Sequence, residues 1–161
     1  MYTYELTHKI LSIGAAYEVR DANDAVVSTI RGKVLSATPQ LSMFAGDSDA
    51  SPPTAFMKGN FMKTKFDVFD GAEQTIGTLS FPMLALKKTF TLETGGEEYK
   101  ADGGVLAGAF TCKNARGDVV LTISKELSLR DKFAVATSGA ISPQVALLVA
   151  VAIDQRFFQE V

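Results

Sequence analysis

The chain has 161 residues, 47% of them hydrophobic and 21% charged, and its 16 basic and 18 acidic side chains leave a formal charge of −2. That balance suits one globular domain with a sizeable core and speaks against a general nucleic-acid binder, whose affinity comes from neutralising phosphates. One Cys and one His exclude an internal disulfide and a structural zinc site built from several such residues.

In chain order, Met1–Ala16 lacks the basic start, apolar centre and small-residue cleavage site of a signal peptide. Short strands are predicted at Tyr2–Leu6 and Lys9–Ile13. Then comes the first of three stretches that superpose without a gap: Tyr17–Ile30, Phe66–Leu79 and Phe110–Ile123. Each opens on an aromatic (Tyr17, Phe66, Phe110), with an apolar residue two positions on (Val19, Val68, Cys112) and a turn former two further (Asp21, Asp70, Asn114). An apolar pair closes each: Val27 and Ile30, Ile76 and Leu79, Val120 and Ile123. Alternate apolar positions put one strand face on a core, and Asp or Asn caps a turn by bonding its own backbone two residues on. Each stretch is therefore a predicted β-hairpin. Further strands are expected at Lys33–Leu35, Phe90–Glu93, Glu98–Lys100 and Lys132–Ala136, with Gly32, Gly59 and Gly103 at bends or bulges. Short strands at this spacing indicate an all-β barrel or sandwich.

Two segments depart from the pattern. The low-complexity insert Ala45–Ala55 reads as a mobile surface loop that buries nothing. Near the C-terminus, Ser142-Pro143 is an N-cap followed by a first-turn proline, and the residues after it predict a helix over Pro143–Phe158, roughly 24 Å long at ~1.5 Å per residue. Its middle, Val145–Ile153, is apolar on every side, so it needs an enclosure; at nine residues it is far short of the ~20 that span a bilayer. A strand is the alternative reading, but the run is long and Ala-rich for one. No export segment or membrane span is expected, and with the unpaired Cys112 this predicts a cytoplasmic protein.

Lys9-Ile-Leu-Ser-Ile-Gly14, Tyr17-Glu-Val-Arg-Asp21 and Ile30-Arg-Gly-Lys-Val-Leu-Ser36 resemble the LURP-one-related family of the tubby C-terminal-like superfamily, which includes phospholipid scramblases. The likeness continues through Glu98-Tyr-Lys, Gly103-Gly104, Phe110–Ile123, Ser124–Asp131 and Ala152-Ile153-Asp154. It covers nearly the whole chain, departing at the Ala45–Ala55 insert and in lacking a Trp after the last repeat. The resemblance implies a single domain over residues 1–161: a closed antiparallel β-barrel of about twelve strands around a central hydrophobic helix. On function it implies much less: tubby domains bind phosphoinositides and scramblases act at membranes, the small bacterial members have no settled role, and no lipid-contacting residue of tubby is carried over onto this chain.

Residues with catalytic chemistry are few. His8 reads as a surface residue in an edge turn and Cys112 as a core hydrophobe, because it aligns with Val19 and Val68. Asp47-Ser-Asp49 lacks the glycine and terminal Glu of a calcium loop and reads as solvated. Asp154-Gln155-Arg156 ends the helix, where an Asp opposes the macrodipole and needs a cation or donor; a structural ion pair is the plain reading, a lining of the barrel mouth the other. No nucleophile elbow or phosphate loop is present, so no enzyme activity, cofactor or metal is expected. The remaining stretch, Phe56–Phe66, repeats Phe-Met-Lys and carries three lysines and no acid. Read as one strand, it sets Phe61, Lys63 and Lys65 on a face opposite Phe66 and Val68. The plain reading is an edge strand guarded by lysines. The functional one is a surface for anionic lipid headgroups, with Lys58, Phe61, Lys63 and Lys65 as candidate site. A binding module for phospholipid or phosphoinositide headgroups, peripheral at the membrane, is thus the leading expectation. A protein-interaction or regulatory domain comes second, and an enzyme with an unrecognised site third.

Overall fold

A computed structural model describes residues 1–10, 14–33, 37–83, 88–103, 108–125 and 131–158. Twelve strands follow one another: β1 (Tyr2–Ile10), β2 (Ala15–Arg20), β3 (Val26–Gly32), β4 (Gln40–Ala45), β5 (Ala55–Gly59), β6 (Lys65–Asp70), β7 (Thr75–Ser80), β8 (Thr89–Thr94), β9 (Glu97–Asp102), β10 (Ala109–Lys113), β11 (Val119–Ser124) and β12 (Lys132–Thr137). Each pairs antiparallel with its sequence neighbours, and β12 returns to β1, with Tyr2 opposite Thr137 and Thr7 opposite Lys132. The barrel is closed, so none of the described strands is left as an edge.

The three predicted hairpins are β2–β3, β6–β7 and β10–β11, and their registers coincide. Tyr17 faces Ile30, Phe66 faces Leu79 and Phe110 faces Ile123, and each hairpin carries a bulge just after Val19, Val68 or Cys112. Their turns share one hydrogen-bond scheme. Asp21 Oδ1 accepts from the amides of Asn23 and Ala25, Asp70 Oδ1 from Ala72 and Gln74, and Asn114 Oδ1 from Arg116 and Asp118. The fourth turn residue is left-handed each time, at Asp24, Glu73 and Gly117. The bulge overturns the closing apolar pair in the first hairpin only: Ser28, not the exposed Val27, points inward beside Ile30. In the other two, Gly77 and Leu121 take that inward position beside Leu79 and Ile123, while Ile76 packs partly buried against the core and Val120 is buried as expected. Gly77 is small for a reason: a Cβ there would stand 3.3 Å from Val145 Cγ1 of the central helix.

That helix, α1 (Pro143–Ile153), continues into one wider π turn, Asp154–Phe158. Ser142 Oγ accepts from the Val145 amide at 3.3 Å, capping its start, and Pro143 stands in the first turn. Every side chain from Val145 to Ile153 is buried. The helix can occupy an apolar interior because its backbone groups bond one another, and the twelve-strand wall encloses a cross-section wide enough for it.

Three strand expectations change. Tyr2–Leu6 and Lys9–Ile13 merge, as far as residue 10, into the single β1; residues 11–13 lie outside the described residues. Lys33 follows β3 rather than opening a strand, and 34–36 lie outside the described residues. Strand β4 was not anticipated. The Ala45–Ala55 insert connects β4 to β5, and its last residue, Ala55, is fully buried, so the expectation that the insert buries nothing fails there.

Candidate functional site

Helix α1 ends at one mouth of the barrel, and several of the residues singled out along the sequence meet there. Asp154 is the most buried of them. Tyr17 Oη donates to its Oδ2 at 2.9 Å and Lys125 Nζ to its Oδ1 at 3.0 Å, with side-chain exposures of 1% for Asp154 and 11% for Lys125. The Asp at the helix C-terminus thus has both a donor and a cation, as the macrodipole argument requires. His8 belongs to the same cluster. It is not in an edge turn but within β1, opposite Tyr17, and the two rings stack at 4.7 Å.

Beside this polar cluster lies an aromatic one. Phe157 stacks on Phe110 at 5.2 Å and meets Phe81 edge-on at 5.6 Å, and Phe81 in turn meets Phe66 and Phe90. The Arg156 guanidinium covers the Phe81 ring at 4.2 Å, a cation–π geometry, and donates to the Lys63 carbonyl at 2.8 Å. Two motifs far apart in sequence, the helix end and the Phe-Met-Lys repeat, are therefore joined by one side chain.

The Phe56–Phe66 stretch is not one strand. Strand β5 ends at Gly59 and β6 begins at Lys65, and the residues between form a turn. Asn60 Oδ1 accepts from the amides of Thr64 and Lys65, the Asn60 amide donates to the Lys65 carbonyl, and Lys63 is left-handed with φ of 57°. This is the Asp/Asn turn of the three hairpins, one residue longer. The turn throws Phe61 and Met62 into solvent, 75% and 60% exposed, and Met83 at the start of the β7–β8 connection is 71% exposed. The Phe81 amide bonds the Thr64 carbonyl, tying that connection to the turn.

The candidate site is regrouped accordingly. Lys65 does stand opposite Phe66 and Val68, on the outer face of β6. Lys63 and Phe61 lie on the turn. Lys58 is exposed on β5, its Nζ 5.4 Å from the Phe56 ring, with Asp67 as its cross-strand neighbour. All four thus crowd one corner of the mouth, on two adjoining surfaces. They do not guard an edge, because β5 is paired on both sides, with β4 and β6. Gly59 is not a bulge: a Cβ there would fall 2.6 Å from Phe66 Cε1, so the glycine makes room for the aromatic ring across the strand. The missed signal was Asn60, hidden between an apolar strand and Phe61-Met62.

Elsewhere, Cys112 is buried in the core, and burial pushes its thiol up to about 12. Since the thiolate is the nucleophile, this sulfur is inert at neutral pH. Asp49 pairs with Arg31 at 3.1 Å. No described helix is long and apolar enough to cross a membrane.

No family model and no curated protein matches the chain. Solved structures do. A crystal structure of an Arabidopsis thaliana protein, AT5G01750, superposes with a TM-score of 0.61 over 96% of this chain and 91% of that one, at 11% sequence identity. At that identity the likeness concerns the fold: the chain is similar to the plant protein in its backbone path and no further.

Proposed function

We propose that the chain is a LURP-one-related, tubby-like binding module without enzyme activity, which recognises anionic phospholipid or phosphoinositide headgroups from the cytoplasmic side of a membrane. The observation that carries this reading is the β5–β6 corner, where exposed Phe61 and Met62 adjoin Lys58, Lys63 and Lys65 on strands that have no edge to protect. Lysines set around apolar side chains match a lipid interface, where the charges meet headgroups and the apolar groups enter the acyl boundary.

Three lysines near an anionic surface contribute about 3 kcal/mol, at about 1 kcal/mol each. Partial insertion of Phe61 and Met62, at about 1–1.5 kcal/mol each against about 1.5–3 for full burial, raises the sum to about 5–6 kcal/mol, in the sub-millimolar range. The net charge of −2 supplies no long-range attraction, and Asp67 beside Lys58 offsets part of the local field. Binding is therefore weak, salt-sensitive and selective for anionic membranes.

The test is vesicle co-sedimentation with neutral and anionic lipids at low and physiological salt. Wild type pellets with anionic vesicles at low salt, and a Lys58/Lys63/Lys65→Ser variant does not. Equal pelleting of both removes this corner as the site. Failure of both to pellet sinks the lipid reading and leaves a protein-interaction domain as the better one.

A further inference from the structure

Strands β7 and β8 pair only over Thr78–Ser80 against Thr91–Glu93. Beyond Ser80 the chain of β7 turns away toward the β5–β6 corner, where the Phe81 amide is held by the Thr64 carbonyl. A cavity of about 570 Å³ opens where the two strands part, with Phe81, Pro82, Phe90, Ala101, Thr91 and Lys100 on its walls. Phe81, Phe90 and Ala101 are buried core residues, whereas Thr91 and Lys100 are partners on the outer face of β8 and β9. The lining therefore comes from both faces of the wall. It is a slot that leads from the surface to the aromatic cluster, within the ~300–1,000 Å³ range of small-molecule sites.

The slot adjoins the basic corner through Phe81. Phe81 lines it, Arg156 covers the Phe81 ring at 4.2 Å, and the same guanidinium holds the Lys63 carbonyl. Buried Phe81, Phe90 and Ala101 make the slot's floor apolar, exposed Pro82 stands at its rim, and Asp102 at its lip faces the same side as Lys100. An anionic headgroup does not belong inside it; an aliphatic chain does. Resting on the lipid reading above, we propose that this slot receives one acyl chain of the anionic phospholipid whose headgroup meets Lys58, Lys63 and Lys65. The protein then draws a chain part-way out of the bilayer rather than only resting on it.

Short-chain phosphatidylglycerols of increasing acyl length, kept below micelle-forming concentration, test this by titration calorimetry alongside vesicle co-sedimentation. Affinity of the wild type rises about fourfold for each methylene that enters the slot, and levels off once it is filled. Thr91→Trp, or Thr89→Trp should the first fold poorly, obstructs the slot; it flattens the chain-length dependence while leaving salt-sensitive pelleting with anionic vesicles in place. The Lys58/Lys63/Lys65→Ser variant does the reverse, weakening every lipid alike and keeping the dependence on length. Vesicle binding by the wild type with no dependence on chain length overturns the slot and spares the headgroup reading. Fatty acids that bind as well as the matched phospholipid make it a free-acid site and overturn the proposal as stated. No binding to vesicles or to soluble lipid removes both readings.

Discussion

At the level of single side chains, the three hairpins explain Cys112. It occupies the inward position that Val19 and Val68 fill in the other two, and all three are buried. Burial raises its thiol from 9.0 to about 12. The folded state therefore holds the neutral thiol more tightly than the unfolded chain does, so this contribution is complete below pH 9 and is lost as pH climbs toward 12. The slope approaches about 1.4 kcal/mol per pH unit. Cys112→Val should fold normally and lose less stability than wild type between pH 9 and 11 in urea melts; parallel pH profiles would contradict the assignment. The Asp154–Lys125 pair makes a second demand. Lys125→Met takes away a cation bonded to the buried Asp154 carboxylate, and should cost about 3–5 kcal/mol in denaturant unfolding. Asp154→Asn combined with Lys125→Met should recover much of that loss, whereas an Asp154 carboxylate of no structural weight would leave both variants near wild type. Cys112 was legible in the sequence through its alignment. His8 was not, because its place against Tyr17 depends on the β1–β2 register and no local pattern announces it.

Among the elements, legibility followed redundancy. The β2–β3, β6–β7 and β10–β11 hairpins appeared in the sequence because three copies of one pattern reinforce each other, down to the turn-forming Asp21, Asp70 and Asn114. Helix α1 was legible because an N-cap, a proline and an all-apolar run agree. Strands β4 and β5 have no such support. Strand β4 precedes a low-complexity insert, and β5 runs into a turn whose Phe61 and Met62 look like a continuing strand. The arrangement of the candidate residues was therefore misread, since one Asn60 turn moves Phe61 and Lys63 off the strand face. Gly59 tests this local geometry. An alanine there must push the Phe66 ring aside within a packed cluster, so Gly59→Ala should cost about 1–3 kcal/mol. Phe66→Leu in the same chain should restore part of it, and a cost unchanged by Phe66→Leu would place the strain elsewhere.

For the molecule as a whole, the barrel and its helix are one object: the strands bury the helix, and the helix fills the barrel. Ala150 is fully enclosed, so Ala150→Asp buries an unpaired charge and should abolish folding, read as loss of the cooperative thermal transition. A soluble, cooperatively melting Ala150→Asp protein would contradict the enclosed helix. The same closure is why a surface corner, rather than an edge or an end of the chain, carries the functional proposal. The chain contains no Trp, so Phe61→Trp introduces a single tryptophan, excited selectively at the red edge beyond tyrosine absorption, at the exposed tip of that corner. Mixed with anionic vesicles at low salt, its emission should shift to the blue and return when salt is raised, with no change on neutral vesicles. Emission that stays at its aqueous position while the protein pellets with anionic vesicles would contradict the account.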